Sequence, residues 1–573
     1  MCHRTLTTNS KNTYLGLYLG VETFIAILID ADLQVTYRAV VRYDVDLPEY
    51  STKNGISSDA SSNEYKADPV MYIHALDILL NCLESQGADL HSVASIGGAA
   101  HHYGAVFWTD LGFRRLCGLT SAKRLHEQFK ENAFQIVSFP SWVERTSILQ
   151  CYDMEEHVGG MMQMIRITGA KCFARYTGPQ IRRVYEKTPE VYEKTVRISL
   201  MSSFLASLLV GNIGSIEYSD GSVMNLLDIK YKAWSEDCLS ACAPGLKDRL
   251  MQPIASNRLQ GRIADYFVSR WNFRPDCMIS SPTGISASIV SGLNLEEKVL
   301  VIFLSTADKM LMHFKQRPQL DDASIICHPT NIGEYIGMIL LRNGCLVREA
   351  ACKEIAGGNW HLFNEMLEST PKGNAGNIEV RLDKMEFSPE AKGRLRWDSK
   401  IDEMSQTALT GLANFEDPKY DARALIEGQI MHRRVVATDA GFDVKGVNKI
   451  IAIGRSARNP HVLQIIADVF NTPVYTQEGP PPTLLGAALR ARYAFYEYRE
   501  ANCHCTKCKA CSGNQPKVSY AEFFRKLPYE LKLMAKPSPG CEAIYGPLMD
   551  RIRTMCRLLA SSTSINEKLI KHK

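Results

Sequence analysis

A chain of 573 residues exceeds a single ordinary hydrophobic core, and its length points to two or three domains. Hydrophobic residues make up 45% and charged residues 22%, the balance of a folded globular protein and not of a disordered or fibrous one. Lys and Arg number 66 against 62 Asp and Glu, and a net charge of +4 over so large a surface gives no electrostatic ground for a nucleic-acid or anionic-membrane partner.

The longest apolar stretches are Tyr14 to Ile29, interrupted by Glu22, and Leu200 to Val210, interrupted by serines. Neither offers the roughly 20 uninterrupted apolar residues of a bilayer span. The first 13 residues lack a signal-peptide layout, so a cytosolic protein is expected. The 17 cysteines are odd in number, and most stand singly in apolar contexts, as Cys82, Cys117 and Cys172 do. Such cysteines read as small buried hydrophobes, with no disulfide framework.

In chain order, the spacing predicts strands over Tyr14-Leu19, Thr23-Ile29 and Val35-Arg42. A helix follows over Pro69-Gln86, with Ala75, Leu76, Leu79 and Leu80 at helical spacing. Ile198-Val210 and Leu463-Val469 read as further helical faces. A second strand-turn-strand unit runs through Val299-Leu304, Ser305-Thr306 and Lys309-Phe314, which suggests an internal duplication. Strands alternating with helices in both halves predict an α/β architecture with central mixed sheets. Loops are expected at Lys372-Asn377 and Gln477-Thr483. A boundary falls near Asn272-Asp276, giving an N-terminal domain over 12–275, a C-terminal domain over 276–550 with a Cys-rich insertion at 501–516, and a tail over 551–573.

Several segments carry a resemblance: Asp44-Val45-Asp46-Leu47-Pro48-Glu49, Arg175-Tyr176-Thr177-Gly178, Tyr218-Ser219-Asp220-Gly221-Ser222, Met224-Asn225-Leu226-Leu227, Ala424-Leu425-Ile426-Glu427-Gly428-Gln429 and Ala467-Asp468-Val469-Phe470. In this order they make the chain resemble the FGGY carbohydrate kinases, most closely the animal xylulose kinases, from Tyr14 to about Leu558. The resemblance implies two ribonuclease-H-like domains of the actin and hexokinase type around a central cleft. It also implies a reaction, ATP plus D-xylulose giving ADP and D-xylulose 5-phosphate, with Mg-ATP as cofactor and a ketose as the small-molecule partner. No protein partner is legible.

Position by position, the family's chemistry is depleted. Its base is an aspartate in a Gly-Asp-Asn triplet, which here is Gly284-Ile285-Ser286. An isoleucine accepts no proton, and loss of a general base costs about 10²- to 10⁴-fold in rate; the unperturbed hydroxyl of Ser286 is no substitute. In the first phosphate hairpin the family's aspartate and hydroxyl positions are Tyr18 and Val21, around Leu19 and Gly20. Tyrosine is neutral at pH 7 and Mg²⁺ prefers carboxylate and water oxygens. The second hairpin, Gly-Thr-Ser in the family, is Ser305-Thr306-Ala307, keeping one hydroxyl. The nucleotide-side Gly-Gly is Gly454-Arg455, followed by Ser456, Ala457, Arg458 and Asn459. Arg455 either crowds the backbone approach or offers its guanidinium to a phosphate. Trp360 matches a tryptophan near the adenine, and also reads as core.

On the sugar side the family's Gln-Gln-His-Gly is His101-His102-Tyr103-Gly104, its Trp-Met-Asp is Trp142-Val143-Glu144, and Arg175 is retained. Candidate sugar contacts are therefore Tyr103, Glu144, Arg175 and Ser286. Adjacent strand residues face opposite ways, so His101 and His102 do not read as a metal pair. Cys503, Cys505, Cys508 and Cys511 form a separate thiol cluster, read either as a structural Zn²⁺ or Cu(I) site or as a redox-sensitive or acylated loop. The function expected is that of a catalytically impaired kinase scaffold. The alternatives are an active carbohydrate kinase in which Asp308, Glu144 or Glu22 has taken over the base or metal role, and a non-enzymatic interaction or structural protein.

Overall fold

The computed structural model describes residues 12–59, 64–136, 139–140, 146–399, 415, 417–502, 518–525 and 527–571. Glu144 and the four clustered cysteines lie outside the described residues. The chain packs as two compact units, each discontinuous in sequence: Met1–Leu295, Ile325–Tyr335 and Gly479–Pro528 form one, and Glu296–Ser324, Ile336–Glu478 and Tyr529–Lys573 the other.

The strands that matter here are β1 (Thr13–Leu19), β2 (Thr23–Ile29), β3 (Val35–Arg42), β4 (Val93–Ala100), β5 (Leu259–Arg262), β6 (Met278–Ser280), β7 (Thr283–Gly284), β8 (Val299–Leu304), β9 (Asp308–Phe314), β10 (Tyr335–Leu341), β11 (Lys449–Gly454), β12 (Val474–Gln477) and β13 (Leu531–Ala535). The helices are α1 (Pro69–Ser85), α2 (Met201–Val210), α3 (Tyr218–Gly221), α4 (Ile285–Leu293), α5 (Cys345–Ala356), α6 (Trp360–Glu368), α7 (Lys419–Asp439), α8 (Pro460–Phe470) and α9 (Pro482–Ala501). The stretch expected as one helix from Ile198 splits: Ile198, Ser199 and Leu200 belong to a strand, and the helix begins at Met201.

In the first unit the sheet runs β5-β6-β4-β1-β2-β3, with β7 also pairing β4. β4 is buried along its whole length, as a strand covered on both faces must be. β3 at the edge alternates in exposure, its Thr36, Arg38 and Arg42 facing solvent. α1 starts where Asp68 accepts the Val70 N–H at 2.7 Å ahead of Pro69, an N-cap followed by an N1 proline. From the far end of the chain, α9 lies against β1, β4 and α4. Its approach depends on missing side chains: a Cβ on Gly97 would fall 2.1 Å from the Ala487 carbonyl, and one on Gly486 1.9 Å from that of Ser288.

The second unit repeats this plan. Six strands of its seven-stranded sheet run β10-β9-β8-β11-β12-β13. β8 pairs β9 antiparallel and β11 parallel, as β1 pairs β2 antiparallel and β4 parallel. Outward from there, β11–β12 is parallel and β12–β13 antiparallel, matching β4–β6 and β6–β5. The duplication read from two hairpins extends to six strands of each sheet.

Among the described residues no helix is long and apolar enough to cross a membrane. Of the cysteines taken as buried hydrophobes, Cys172 is buried, Cys82 is half-buried and Cys117 is exposed, because Cys117 ends a short surface helix.

Candidate active site

In the first unit the chemistry gathers at the end of β4. Strand register hands the chain from Ala100 to His101, whose N–H donates to the Leu19 carbonyl at 2.9 Å. Tyr103 then takes a left-handed backbone, φ 79°, and its buried ring stacks on Tyr176 at 5.5 Å. Burial, and then the neighbouring Tyr176, raise its phenol well above the ordinary tyrosine range, so it is neutral. Arg175 is buried beside it.

His102 sits between two partners from distant parts of the chain. Its Nδ1 is 3.2 Å from Asp220 Oδ1 on α3, and its Nε2 is 3.3 Å from Ser286 Oγ on α4. The Ser286 N–H also donates to Nε2 at 3.3 Å, so Nε2 is the acceptor nitrogen and Nδ1 carries the proton toward Asp220. The Ser202 hydroxyl from α2 donates to the other Asp220 oxygen. Gly284 makes room for this: a Cβ there would lie 2.0 Å from His102 Cε1 and 2.7 Å from Asp220 Oδ1.

Glu217 N-caps α3, accepting the N–H groups of Ser219 and Asp220 at 2.8 and 2.7 Å and the hydroxyls of Ser256 and Thr283. Burial raises its carboxyl despite the nearby Arg490, which donates to the Ser256 and Ser281 carbonyls at 2.8 and 2.6 Å. Ile285 opens α4, half-buried, directly before Ser286. Tyr18, half-buried on β1, has its phenol pushed up to about 12 by burial and then by the charge of Glu22, which is exposed in the β1–β2 turn. Gly20 closes that turn, its N–H donating to the Thr23 carbonyl at 2.9 Å.

In the second unit Thr306 is half-buried in the β8–β9 turn. Asp308, at the start of β9, is fully buried. Arg348 reaches its two oxygens at 2.9 and 3.0 Å, and Arg433 adds bonds of 3.1 and 2.8 Å to Oδ2. Burial opposes its charge, but Arg348 and then Arg433 hold it below the usual carboxylate range. At the end of β11, Gly454 has φ 98°, and a Cβ there would lie 2.3 Å from the Leu304 carbonyl. Arg455 is exposed and pairs with Glu349 at 3.0 Å. Arg458 is exposed too. Asn459 caps α8, accepting the His461 N–H at 3.0 Å, and donates to Asn364 on α6 at 2.8 Å. Trp360 is the first residue of α6, 36% exposed, with its ring edge-on to Phe363 at 5.3 Å.

The N-terminal domain of the FGGY family of carbohydrate kinases matches residues 117–284, and its C-terminal domain residues 341–495. The rat xylulose kinase is 33% identical over 537 residues, covering 94% of this chain and 95% of that protein. This chain belongs to the FGGY family of carbohydrate kinases.

Xylulose kinase 2 of Arabidopsis thaliana is likewise 33% identical, covering 84% of this FGGY chain and 87% of its own. Among solved structures, the ligand-bound xylulose kinase of Lactobacillus acidophilus superposes with a TM-score of 0.76 at 16% identity, over 96% of this chain and 99% of that one. The gluconate kinase of the same organism gives 0.75 at 15%, with the same coverage. The fold is therefore the two-domain α/β fold of the sugar kinases, of actin and hexokinase type.

Ser286 is a candidate from the sequence, but its pairing with His102 is not legible there. His102 and Ser286 stand 184 residues apart. The one signal available was Asp220 inside the Tyr218–Ser222 motif.

Proposed function

We propose that this protein is xylulose kinase-like, retaining the scaffold of the sugar kinases while phosphoryl transfer from ATP to D-xylulose is impaired. That reaction needs a base for the attacking hydroxyl, Mg²⁺ to screen the phosphates, and groups that cradle them. The observation that carries the reading is Ile285: it opens α4 at the base position and has no proton acceptor.

The first hairpin does not suit Mg²⁺. Tyr18 keeps its proton at neutral pH, Val21 brings no oxygen, and exposed Glu22 is the one carboxylate between Thr13 and Ile29. Mg²⁺ binds through carboxylate and water oxygens in near-octahedral geometry, so these residues do not fit the ion. Asp308 does not rescue the base, since both its oxygens are taken by Arg348 and Arg433. ATP and a ketose remain the ligands that the family relationship supports.

The deciding assay is mass-spectrometric detection of D-xylulose 5-phosphate after incubation with Mg²⁺, ATP and D-xylulose. A folded sample is expected to form none above background; formation at about 1–100 s⁻¹, the range of working kinases, overturns the reading. The second reading, an active kinase with a relocated base, draws on His102, whose Nε2 lone pair lies beside Ser286. Product formation that disappears in His102→Gln identifies that case.

A further inference from the structure

We propose that Ser286, His102 and Asp220 form a nucleophilic serine site that takes a small acyl ester, a chemistry distinct from sugar phosphorylation. The three side chains are buried together and joined in series, Oγ to Nε2 at 3.3 Å and Nδ1 to Oδ1 at 3.2 Å. The tautomer is the one such a site needs: the single Nε2 lone pair is shared by the Ser286 N–H and Oγ, each at 3.3 Å, and Nδ1 donates to a carboxylate fixed on its other oxygen by Ser202.

The serine is the second residue of α4, in Gly284-Ile285-Ser286-Ala287-Ser288, where β7 passes directly into the helix. Nucleophilic serines of α/β hydrolases occupy a strand-to-helix turn of this kind, and the N–H of the residue after the serine helps to bind the oxyanion. Here that residue is Ala287, in the first turn of α4, where N–H groups have no intrahelical acceptor. Gly284 is the device that lets the imidazole close on the turn. Both reacting residues depart from the kinase pattern: the family has Gln at the position of His102 and Asn at that of Ser286.

In the reaction, Ser286 passes its proton to His102 Nε2 as Oγ bonds to the carbonyl carbon. The carbon–oxygen bond to the leaving group then breaks, and the Nε2 proton follows the departing oxygen. Water, deprotonated by the same nitrogen, releases the acid and restores the serine.

The test uses p-nitrophenyl acetate with the intact protein, without ATP or sugar, so its outcome is independent of the kinase question. Expected are a burst of p-nitrophenolate and an acetyl group located on Ser286 by tandem mass spectrometry after acid quenching. Both are lost in Ser286→Ala. His102→Gln, which restores the family's own residue and so should keep the fold, slows acylation by about 10²- to 10⁴-fold. Asp220 is a positioning residue, and its readout is the pH profile. The titratable groups facing the imidazole are His101, Asp220 and Tyr103, whose ring lies 5.5 Å from it, with Glu217 and Arg490 behind Asp220. Asp220→Asn removes the charge that favours imidazolium, moving the midpoint of the acylation profile to lower pH, a displacement that loss of packing alone does not produce. An unacetylated Ser286, or equal rates in the native protein and His102→Gln, overturns the proposal.

Discussion

At the scale of single residues, the losses proposed at Ile285 and Tyr18 are open to direct repair. Ile285→Asp with Tyr18→Asp returns a base to the start of α4 and a carboxylate to β1, where burial and Glu22 now keep a neutral phenol. The expected result is D-xylulose 5-phosphate formation about 10²-fold or more above the unmodified protein, the worth of a general base; no gain would locate a further block at Val21, Tyr103 or Arg455. Lys309 gives a second prediction. It is buried on β9, next to Asp308, and burial lowers its amine from 10.5 to about 8. Between these values the unfolded chain holds a proton that the folded chain has released, so stability rises with pH through that window and is lowest below pH 8. The difference corresponds to about 3 kcal/mol. Lys309→Met should therefore be more stable than the native protein in urea at pH 7, with the advantage shrinking toward pH 10. A parallel pair of stability-against-pH curves would refute it. The identities of Ile285 and Tyr18 are legible in the sequence because each stands within a short local segment. The Asp308 ion pair with Arg348 and Arg433 was not, since three charges from β9, α5 and α7 meet only through the fold.

At the scale of elements, most strands and helices announced themselves by period and punctuation. β1, β2 and β3 follow their apolar runs to within a residue, and α1 ends one residue before its expected limit. Ile198–Leu200 was absorbed into the helix that follows because a short apolar strand and a buried helical segment have the same composition. The contact between α4 and α9 had no sequence period to reveal it. It is made by the absence of side chains, Gly486 on Ser288 and Gly292 on the Pro482 carbonyl, where a Cβ would stand 2.0 Å away. Gly486→Val should force the helices apart at the base of the turn that carries Ile285 and Ser286. Overpacking of this kind costs about 1–3 kcal/mol or more. A lowered Tm is expected in thermal unfolding, whereas Gly87→Ala, whose Cβ would meet nothing within 4 Å, tests the separate strain of φ 85° without a clash. Equal losses in the two variants would show that helix contact is not what Gly486 provides.

At the scale of the molecule, the repeated hairpin was readable as a duplication, but its extent was not. Strand order and sense become comparable only when β4 is seen parallel to β1 and β11 parallel to β8, pairings that join segments about 80 and 150 residues apart, as crossover connections of parallel strands allow. The same remoteness governs the first unit's integrity. α9 belongs to it although the chain reaches that helix only after most of the second unit. It covers β1 and β4 with Leu484, Leu485, Ala487, Ala488 and Leu489, all at most 1% exposed. Burying a leucine is worth about 1.5–3 kcal/mol, so three leucines and the lost sheet cover amount to a large share of a marginal domain stability of about 5–15 kcal/mol. A chain ending at Glu478 should therefore fail to fold in its first unit, not merely lose a tail. Limited proteolysis reads this directly: rapid cleavage within β1 to β4 is the expected outcome, while a protected fragment spanning Thr13–Leu295 would mean that the N-terminal sheet closes its own core without α9.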